Sequence, residues 1–385
     1  MTSINSLKDL KNKKVLVRVD FNVPIKRGRI LDGFRIKAVL PTIKYLQRKK
    51  AKIILISHLG SQNSKHEARN SKLSLRPVAK YLKIKFVDDC LGRKTEEAIK
   101  KLRGGEIILL ENLRFYSGEK NNDRKFARKL ASLGDLYVNE AFSVCHRADT
   151  SIVSVPKFLP SFIGLRLEEE IRRLRQALKN PSKPLVVIFG GAKISTKLCA
   201  LKKLAKKADH ILLGGAMANN FLKASGFRIG DSVYEENLLD ETKAILGRYE
   251  KKIVLPIDLG MEIRGMRRNI EVKDLDKIKG RFKILDIGPD STKLFSLYLK
   301  KAKTIVFNGP MGFFEKNSFT WGTKKIVESI LKNKKAQIII GGGETIAALP
   351  TKIKNKNLFI STGGGAMLDF LSGKKLPGFK PLMSG

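Results

Sequence analysis

Short aliphatic, β-branched runs alternate along the chain with longer stretches whose apolar positions repeat at helical spacing. Lys14 to Val19, Ile53 to Ser57, Glu106 to Leu110 and Leu136 to Asn139 read as strands. Between the first two, Arg35 to Lys50 sets Ile36, Val39, Leu40, Ile43 and Leu46 on one face, which predicts an amphipathic helix. The alternation restarts after Pro184 with Leu185 to Phe189, Ile211 to Leu213, Lys252 to Leu255, Phe282 to Ile287, Thr304 to Asn308, Gln337 to Ile340 and Asn357 to Ile360. Strands separated by helical stretches predict βαβ units and parallel sheets, here in two α/β series. Leu167 to Asn180 begins acidic and ends basic, as the helix dipole favours, and Pro181 and Pro184 follow it. A helix therefore joins the two series. No repeat of fixed period is present, and the lysine-rich stretches are interleaved with core positions, so they read as solvated faces.

Four glycine-rich segments fall at strand ends of the second series: Gly190-Gly191-Ala192-Lys193, Gly214-Gly215, Gly341-Gly342-Gly343-Glu344-Thr345 and Ser361 to Gly365. One such turn is ordinary loop geometry. Four in successive βα turns point to a nucleotide site, because glycine lets the backbone approach closely and helix N-termini offer free N–H groups to phosphate. Neither GxxxxGK[ST] nor GxGxxG after the first strand occurs, which disfavours P-loop and dinucleotide binding. His146-Arg147-Ala148-Asp149 lacks the spacing and companions of a protein-kinase catalytic loop. The first series supplies cations and amides instead: Asp20 and Asn22 after the first strand, Arg35 opening the next helix, His58 ending the second strand, then Arg114 and Arg147. Each arginine alone reads as a surface residue. Gathered on one sheet edge they would form a polyanion pocket, since guanidinium forks match phosphate and carboxylate. Asp20 would repel such an anion, so accepting a hydrogen bond from a substrate hydroxyl is its economical role.

Composition narrows the class. The 385 residues allow two to three domains at ~150 residues each. Lys and Arg number 77 against 36 Asp and Glu, a net charge of +41 that makes an acidic substrate or partner plausible. The basic N-terminus lacks the apolar core of a signal peptide, and no apolar run approaches the ~18 residues of a membrane span, so a cytoplasmic protein is expected. Cys90, Cys145 and Cys199 form no CxxC pair and read as buried, inert thiols; with four histidines and no HExxH, a transition-metal hydrolase is disfavoured.

The ordered segments Arg18-Val-Asp-Phe-Asn-Val-Pro24, Ser57-His-Leu-Gly60, Glu111-Asn-Leu-Arg-Phe115, Gly190-Gly-Ala-Lys-Ile-Ser-Thr-Lys197, Asp286-Ile-Gly-Pro289, Asn308-Gly-Pro-Met-Gly-Phe-Phe-Glu315 and Ser361-Thr-Gly-Gly-Gly-Ala366 carry a specific resemblance. Together they resemble phosphoglycerate kinases, in family order from about Val15 to Gly378. The resemblance implies two Rossmann-like domains facing a central cleft: residues 1–166 for 3-phosphoglycerate or 1,3-bisphosphoglycerate and 181–370 for magnesium ATP or ADP. Residues 167–180 would form the hinge helix, with 371–385 returning to the N-terminal domain. It further implies a monomer, while the hydropathy predicts no membrane partner and the lack of an RNP motif, zinc finger or aromatic-spaced basic stripe predicts no specific nucleic-acid partner.

Residue by residue, the resemblance implies that Asp20, Phe21, Asn22, Arg35, His58, Leu59, Gly60, Ser61, Arg114 and Arg147 hold the glycerate. Gly191, Ala192, Lys193, Lys197, Gly215, Asn308, Pro310 and Glu315 would surround the nucleotide, with Glu315 on the ribose hydroxyls. Gly342, Gly343, Glu344 and Thr345 would open the helix nearest the moving phosphoryl. Arg35, Lys197, Gly342 and Gly343 would serve catalysis, and Glu344 would hold Mg²⁺ directly or through water. Three positions depart from the family pattern: Ser61 where arginine is usual, with Lys65, His66 or Arg69 as replacements; Glu344 where aspartate is usual; and Phe307 where tryptophan is usual. Two other readings stay open, a catalytically weakened paralogue and a basic nucleic-acid-binding activity; no RNP motif or zinc finger supports the second.

Overall fold

The computed structural model describes residues 1–60, 71–350 and 353–383. The chain divides into two compact units, Met1–Arg172 with Lys375–Gly385, and Arg173–Lys374.

In the first unit six parallel strands lie in the order Lys85–Val87, Ile107–Leu110, Lys52–Ile56, Lys14–Arg18, Leu136–Asn139, Ser161–Ile163. The middles of the central strands are apolar, and Val15, Leu16, Val17, Ile53, Ile54 and Leu55 are fully buried, as a sheet covered on both faces requires. The helix expected over 35–50 is two, Phe34–Ala38 and Leu40–Arg48. Pro41, near the start of the second, cannot donate the bond that would continue the first. Its predicted face nevertheless packs inward, with Ile36, Val39, Ile43 and Leu46 buried.

The joining helix runs Leu165–Lys179, two residues earlier than its sequence pattern, and the unit boundary falls inside it. Its first turn is held by Glu140, a buried carboxylate just beyond Leu136–Asn139. Glu140 accepts from the Arg166 and Leu167 N–H groups at 3.0 Å each and from the Thr42 hydroxyl. Glycine at 164 leaves room for that carboxylate, which a Cβ would strike. The closing segment Pro377–Leu382 seats on the same unit: Gly378 N–H donates to the Cys145 carbonyl at 2.9 Å, and Phe379 stacks on Phe142 with centroids 6.4 Å apart.

The second unit's parallel sheet is ordered Ile253–Val254, His210–Leu213, Leu185–Phe189, Thr304–Asn308, Gln337–Gly341, Leu358–Ile360. Phe282–Ile287, read from sequence as part of this series, lies instead in an antiparallel sheet with Asp258–Ile263 and Met266–Glu271. Its Lys283 is exposed between buried Phe282 and Ile284, the alternation of a half-covered sheet. The hairpin turns at Arg264 and Gly265, both at positive φ. Of the three cysteines, Cys90 and Cys145 are buried and Cys199 is exposed, contrary to expectation. The helix Ile194–Ala205 turns Ile194, Leu198, Leu201 and Leu204 inward, which leaves Cys199 on the lysine-bearing face. Among the described residues no helix is long and apolar enough to cross a membrane.

Candidate active site

Open α/β sheets bind ligands beyond the strands' carboxyl ends, where the strand order reverses. In the first unit the reversal lies between Lys14–Arg18 and Leu136–Asn139. The loop after Lys14–Arg18 carries Asp20, Phe21 and Asn22. Phe21 N–H donates to Ser57 Oγ at 2.9 Å while its ring is buried in the core, and Leu59 is likewise a core residue. These two expected substrate contacts shape the loop through packing. Asn22 and Gly60 bond reciprocally, Asn22 Nδ2 to the Gly60 carbonyl at 3.2 Å and Gly60 N–H to Asn22 Oδ1 at 3.1 Å. The Gly60 carbonyl also accepts from Arg114 Nη1. Ser61, with Lys65, His66 and Arg69, lies outside the described residues.

Charge is concentrated at this edge. Asp20 accepts from Arg35 and from the Ser143 hydroxyl. Burial acts to raise its carboxyl, but the Arg35 charge, with His58 and Ser143, outweighs that and holds it well below the carboxylate range. His58 is buried; burial and then the Arg18 charge keep it well below the usual imidazole value. Arg18 Nη2 donates to His58 Nδ1 at 3.1 Å, which assigns the imidazole proton to Nε2, an atom with no partner among the described residues. Arg147, its basicity lowered chiefly by burial, also feels Asp149 and then Asp20, Arg18 and Arg35, and its Nε and Nη1 are unmatched among the described residues. Asp20, Arg35, His58, Arg114 and Arg147 thus form one cluster in which cations outnumber the carboxylate. Such a surface suits a multiply charged anion.

Sequence reasoning gave no role to the residues that brace this cluster. Fully buried Arg18 donates to Ser151 Oγ at 2.7 Å, and Ser151 donates to Glu119 through its N–H at 2.9 Å and its hydroxyl at 2.5 Å. Asn112 Oδ1 accepts from the Leu59 and Arg114 N–H groups, both at 3.1 Å, while Nδ2 donates to the Leu59 and Leu73 carbonyls at 3.0 Å each. For Asn112 the available signal was a pair of polar residues, Glu111 and Asn112, directly after the wholly apolar strand Ile107–Leu110.

In the second unit the order reverses between Leu185–Phe189 and Thr304–Asn308. The loops beyond them interlock through main-chain bonds: Gly190 N–H to the Asn308 carbonyl at 3.0 Å, Gly191 to Pro310 at 2.7 Å and Gly215 to Met311 at 2.8 Å. Gly215, at φ +56°, could not carry a side chain, because a Cβ would lie 2.6 Å from Gly191 N. Gly191, Ala192, Gly215, Pro310, Glu315 and Glu344 line one pocket. Leu259, Ile284, Leu285, Ile287 and Phe313 give it apolar surface. Asn219 and Asp286, to which sequence reasoning gave no role, also line it. Asp286 accepts from Gly322 N–H at 2.9 Å and Arg267 Nη1 at 3.1 Å, and burial, which these donors only partly offset, pushes its carboxyl up to about 6.

Lys197 is nearly buried, its ammonium so close to Gly191 that a Cβ there would be 2.9 Å away. Burial lowers its basicity, with Glu344 acting in the opposite direction. Lys193 is exposed at the start of the same helix, whose first N–H groups, Ile194 and Ser195, donate to Glu235 at 2.8 and 3.2 Å. Thr345 is buried and its hydroxyl oxygen accepts from Gly309 N–H at 2.8 Å. Gly342, at φ +99°, and Gly343 begin the helix Gly343–Ala347 beside Asn308, whose Nδ2 has no partner among the described residues. Glu344 stands exposed in that first turn and does not cap it. The described residues contain no cluster of three metal-ligating side chains. One carboxylate beside a glycine turn still fits Mg²⁺, which usually keeps several waters and takes only one or two carboxylates.

The phosphoglycerate kinase family model matches residues 4–374. A phosphoglycerate kinase of Dictyoglomus turgidum is 45% identical over 382 residues, covering 96% of this chain and 95% of that protein. One of Wolbachia pipientis is 43% identical, covering 97% and 96%. Among solved structures, the phosphoglycerate kinase of Coxiella burnetii superposes with a TM-score of 0.83 at 35% identity, covering 99% of this chain and 98% of that one. That of Pyrococcus horikoshii gives 0.87 at 32%, covering 100% and 98%. With its sheet orders, interlocked glycine turns and cationic strand ends, the chain belongs to the phosphoglycerate kinase family.

Proposed function

We infer that the protein catalyses the reversible transfer of a phosphoryl group from 1,3-bisphosphoglycerate to ADP, giving 3-phosphoglycerate and ATP. The observation that carries this reading is the pairing, in one chain, of a cation-rich strand edge around Asp20 with a glycine-built pocket beside Lys197. In this reading residues 1–166 take the glycerate and 181–370 the nucleotide, with 167–180 as hinge and 371–385 completing the first domain. A monomeric, cytoplasmic enzyme without a specific nucleic-acid partner completes it.

The chemistry asked of these residues is positioning and charge neutralisation, since phosphoryl transfer needs no covalent enzyme intermediate. Arg114, Arg147 and the His58 Nε2–H bind the glycerate's anionic groups, and Asn22 and Gly60, tied to each other, set the loop beside them. Asp20 accepts from a substrate hydroxyl and keeps Arg35 oriented; Arg35 faces the group in transit. Lys197 neutralises the equatorial oxygens from the nucleotide side, Lys193 adds charge, and Glu315 receives the ribose hydroxyls. The N–H groups at Gly342 and Gly343, with Thr345, stabilise the migrating phosphoryl. Glu344 would hold Mg²⁺, which supplies further neutralisation of phosphate charge when bound. Closure of the two units about the hinge excludes water from the acyl phosphate.

The test is a coupled assay with 3-phosphoglycerate and MgATP, trapping the acyl phosphate. Turnover lost in Lys197→Ala supports the reading. Absence of turnover in the unaltered protein at low salt refutes it and leaves the weakened paralogue.

A further inference from the structure

We propose that Asn219 selects the base of the nucleotide, by accepting a hydrogen bond from the exocyclic amino group of adenine. The inference rests on the nucleotide pocket assigned above and adds to it a residue that determines specificity. Asn219 stands one turn into the helix Gly215–Ala224, is 2% exposed and lines that pocket. Its Nδ2 donates to the Val233 carbonyl at 3.0 Å, which fixes the amide's orientation and assigns the other atom as the carbonyl oxygen. That Oδ1 has no donor among the described residues. The neighbouring Asn220 is different: its Nδ2 donates to the Glu235 carbonyl at 3.0 Å and its Oδ1 accepts from Glu235 N–H at 2.8 Å. Asn220 thus pins Glu235 to the helix with both ends of its amide, whereas Asn219 holds Val233 with one end and half of its amide is left over.

A buried acceptor without a donor destabilises a folded chain unless a ligand supplies the donor. The pocket's apolar surface, from Leu259, Ile284, Ile287 and Phe313, suits a flat base more than a phosphate or a sugar. A base whose edge offers N–H to an acceptor held among such residues gains from the match, and one lacking it leaves Oδ1 unpaired. A site built around a buried hydrogen bond rejects analogues that lack the partner more strongly than an apolar pocket rejects a change of size.

The experiment is calorimetric binding of ADP, purine-riboside diphosphate, which lacks only the amino group, and 2′-deoxy-ADP, to the unaltered protein and to Asn219→Ala. The unaltered protein should bind ADP ~10- to 100-fold more tightly than purine-riboside diphosphate, the equivalent of one unmatched buried acceptor. In Asn219→Ala that ratio should fall to within ~3-fold of one, while the ADP to 2′-deoxy-ADP ratio stays as it was. Losing the Val233 brace would weaken all three ligands alike and leave the ratios intact. The comparison within the unaltered protein needs no variant, so a misfolded Asn219→Ala does not remove the test. Equal affinities for ADP and purine-riboside diphosphate, or a ratio unmoved in Asn219→Ala, would overturn the proposal. A change confined to the 2′-deoxy ratio would overturn it too, by assigning Oδ1 to the ribose. Turnover of ADP with equal base affinities leaves the proposed function standing and removes only this inference, whereas no binding of ADP at all overturns both.

Discussion

Glu140→Gln separates charge from hydrogen bonding at the start of the Leu165–Lys179 helix. Oε1 of Glu140 accepts from Thr42 and Arg166, and Oε2 from Leu167. Glutamine keeps the first oxygen and turns an N–H toward Leu167, leaving a buried donor unmatched at ~1–3 kcal/mol. Burial, opposed by those three donors and the Arg166 charge, raises the Glu140 carboxyl from 4.5 to about 7. Between these values the folded chain holds a proton that the unfolded chain has released, so stability is greatest below 4.5 and declines as pH rises toward 7. The full displacement corresponds to ~3 kcal/mol. Glutamine does not titrate, and the other groups cancel between the two proteins. The stability advantage of the unaltered protein over Glu140→Gln should therefore shrink by ~2–3 kcal/mol between pH 5 and pH 8. Urea unfolding followed by circular dichroism at each pH measures it. The single tryptophan, Trp321, lies in the other unit, and its fluorescence transition serves as an internal reference. A difference constant to within ~0.5 kcal/mol across this range would refute the assignment of a raised carboxyl to Glu140.

Lys197→Ala should lower kcat by ~10²- to 10³-fold with KM values within a few-fold in steady-state kinetics, because its charge meets the group in flight. A change confined to KM would contradict that role. Asn112→Ala, which frees both Leu59 and Arg114, should raise KM for 3-phosphoglycerate ~10-fold or more and leave KM for ATP unchanged, as initial rates with each substrate varied will tell. Glu344→Gln should shift the magnesium dependence of activity to higher concentration while the ligand-free melting temperature stays put; a lowered melting temperature with normal magnesium dependence would make Glu344 a structural residue.

The parallel sheets were legible because their strands are buried on both faces, so Leu185–Phe189 and the Ile305 to Phe307 centre of Thr304–Asn308 appear in the sequence as unbroken apolar runs. Strands of three residues, such as Lys85–Val87 and Ser161–Ile163, are too short to show a period, and the hairpin Asp258–Glu271 is half solvated and rich in charge. Phe282–Ile287 was found as a strand and misassigned to a sheet, since apolar content alone does not specify pairing direction. In the candidate site the cations were legible only as a set: each arginine alone reads as a surface residue, but several following successive strands of one sheet make an anion pocket. Arg18, Asn112 and Glu119 were not, because their contribution depends on partners 32 to 133 positions away in the chain, such as Ser151 and Leu73.

The split make-up of the first unit has a consequence for synthesis on the ribosome. Its sheet, from Lys14 to Ile163, leaves the exit tunnel before any of the second unit, yet the segment that covers Phe142 and Ile152 is translated only after residue 374. For the roughly 200 codons in between, that apolar patch lacks the cover that Gly378 and Phe379 give it. The second unit is continuous and can close as soon as its own chain has emerged. The unit that starts first therefore finishes last, and chaperones that hold exposed apolar surface have their longest opportunity at Phe142.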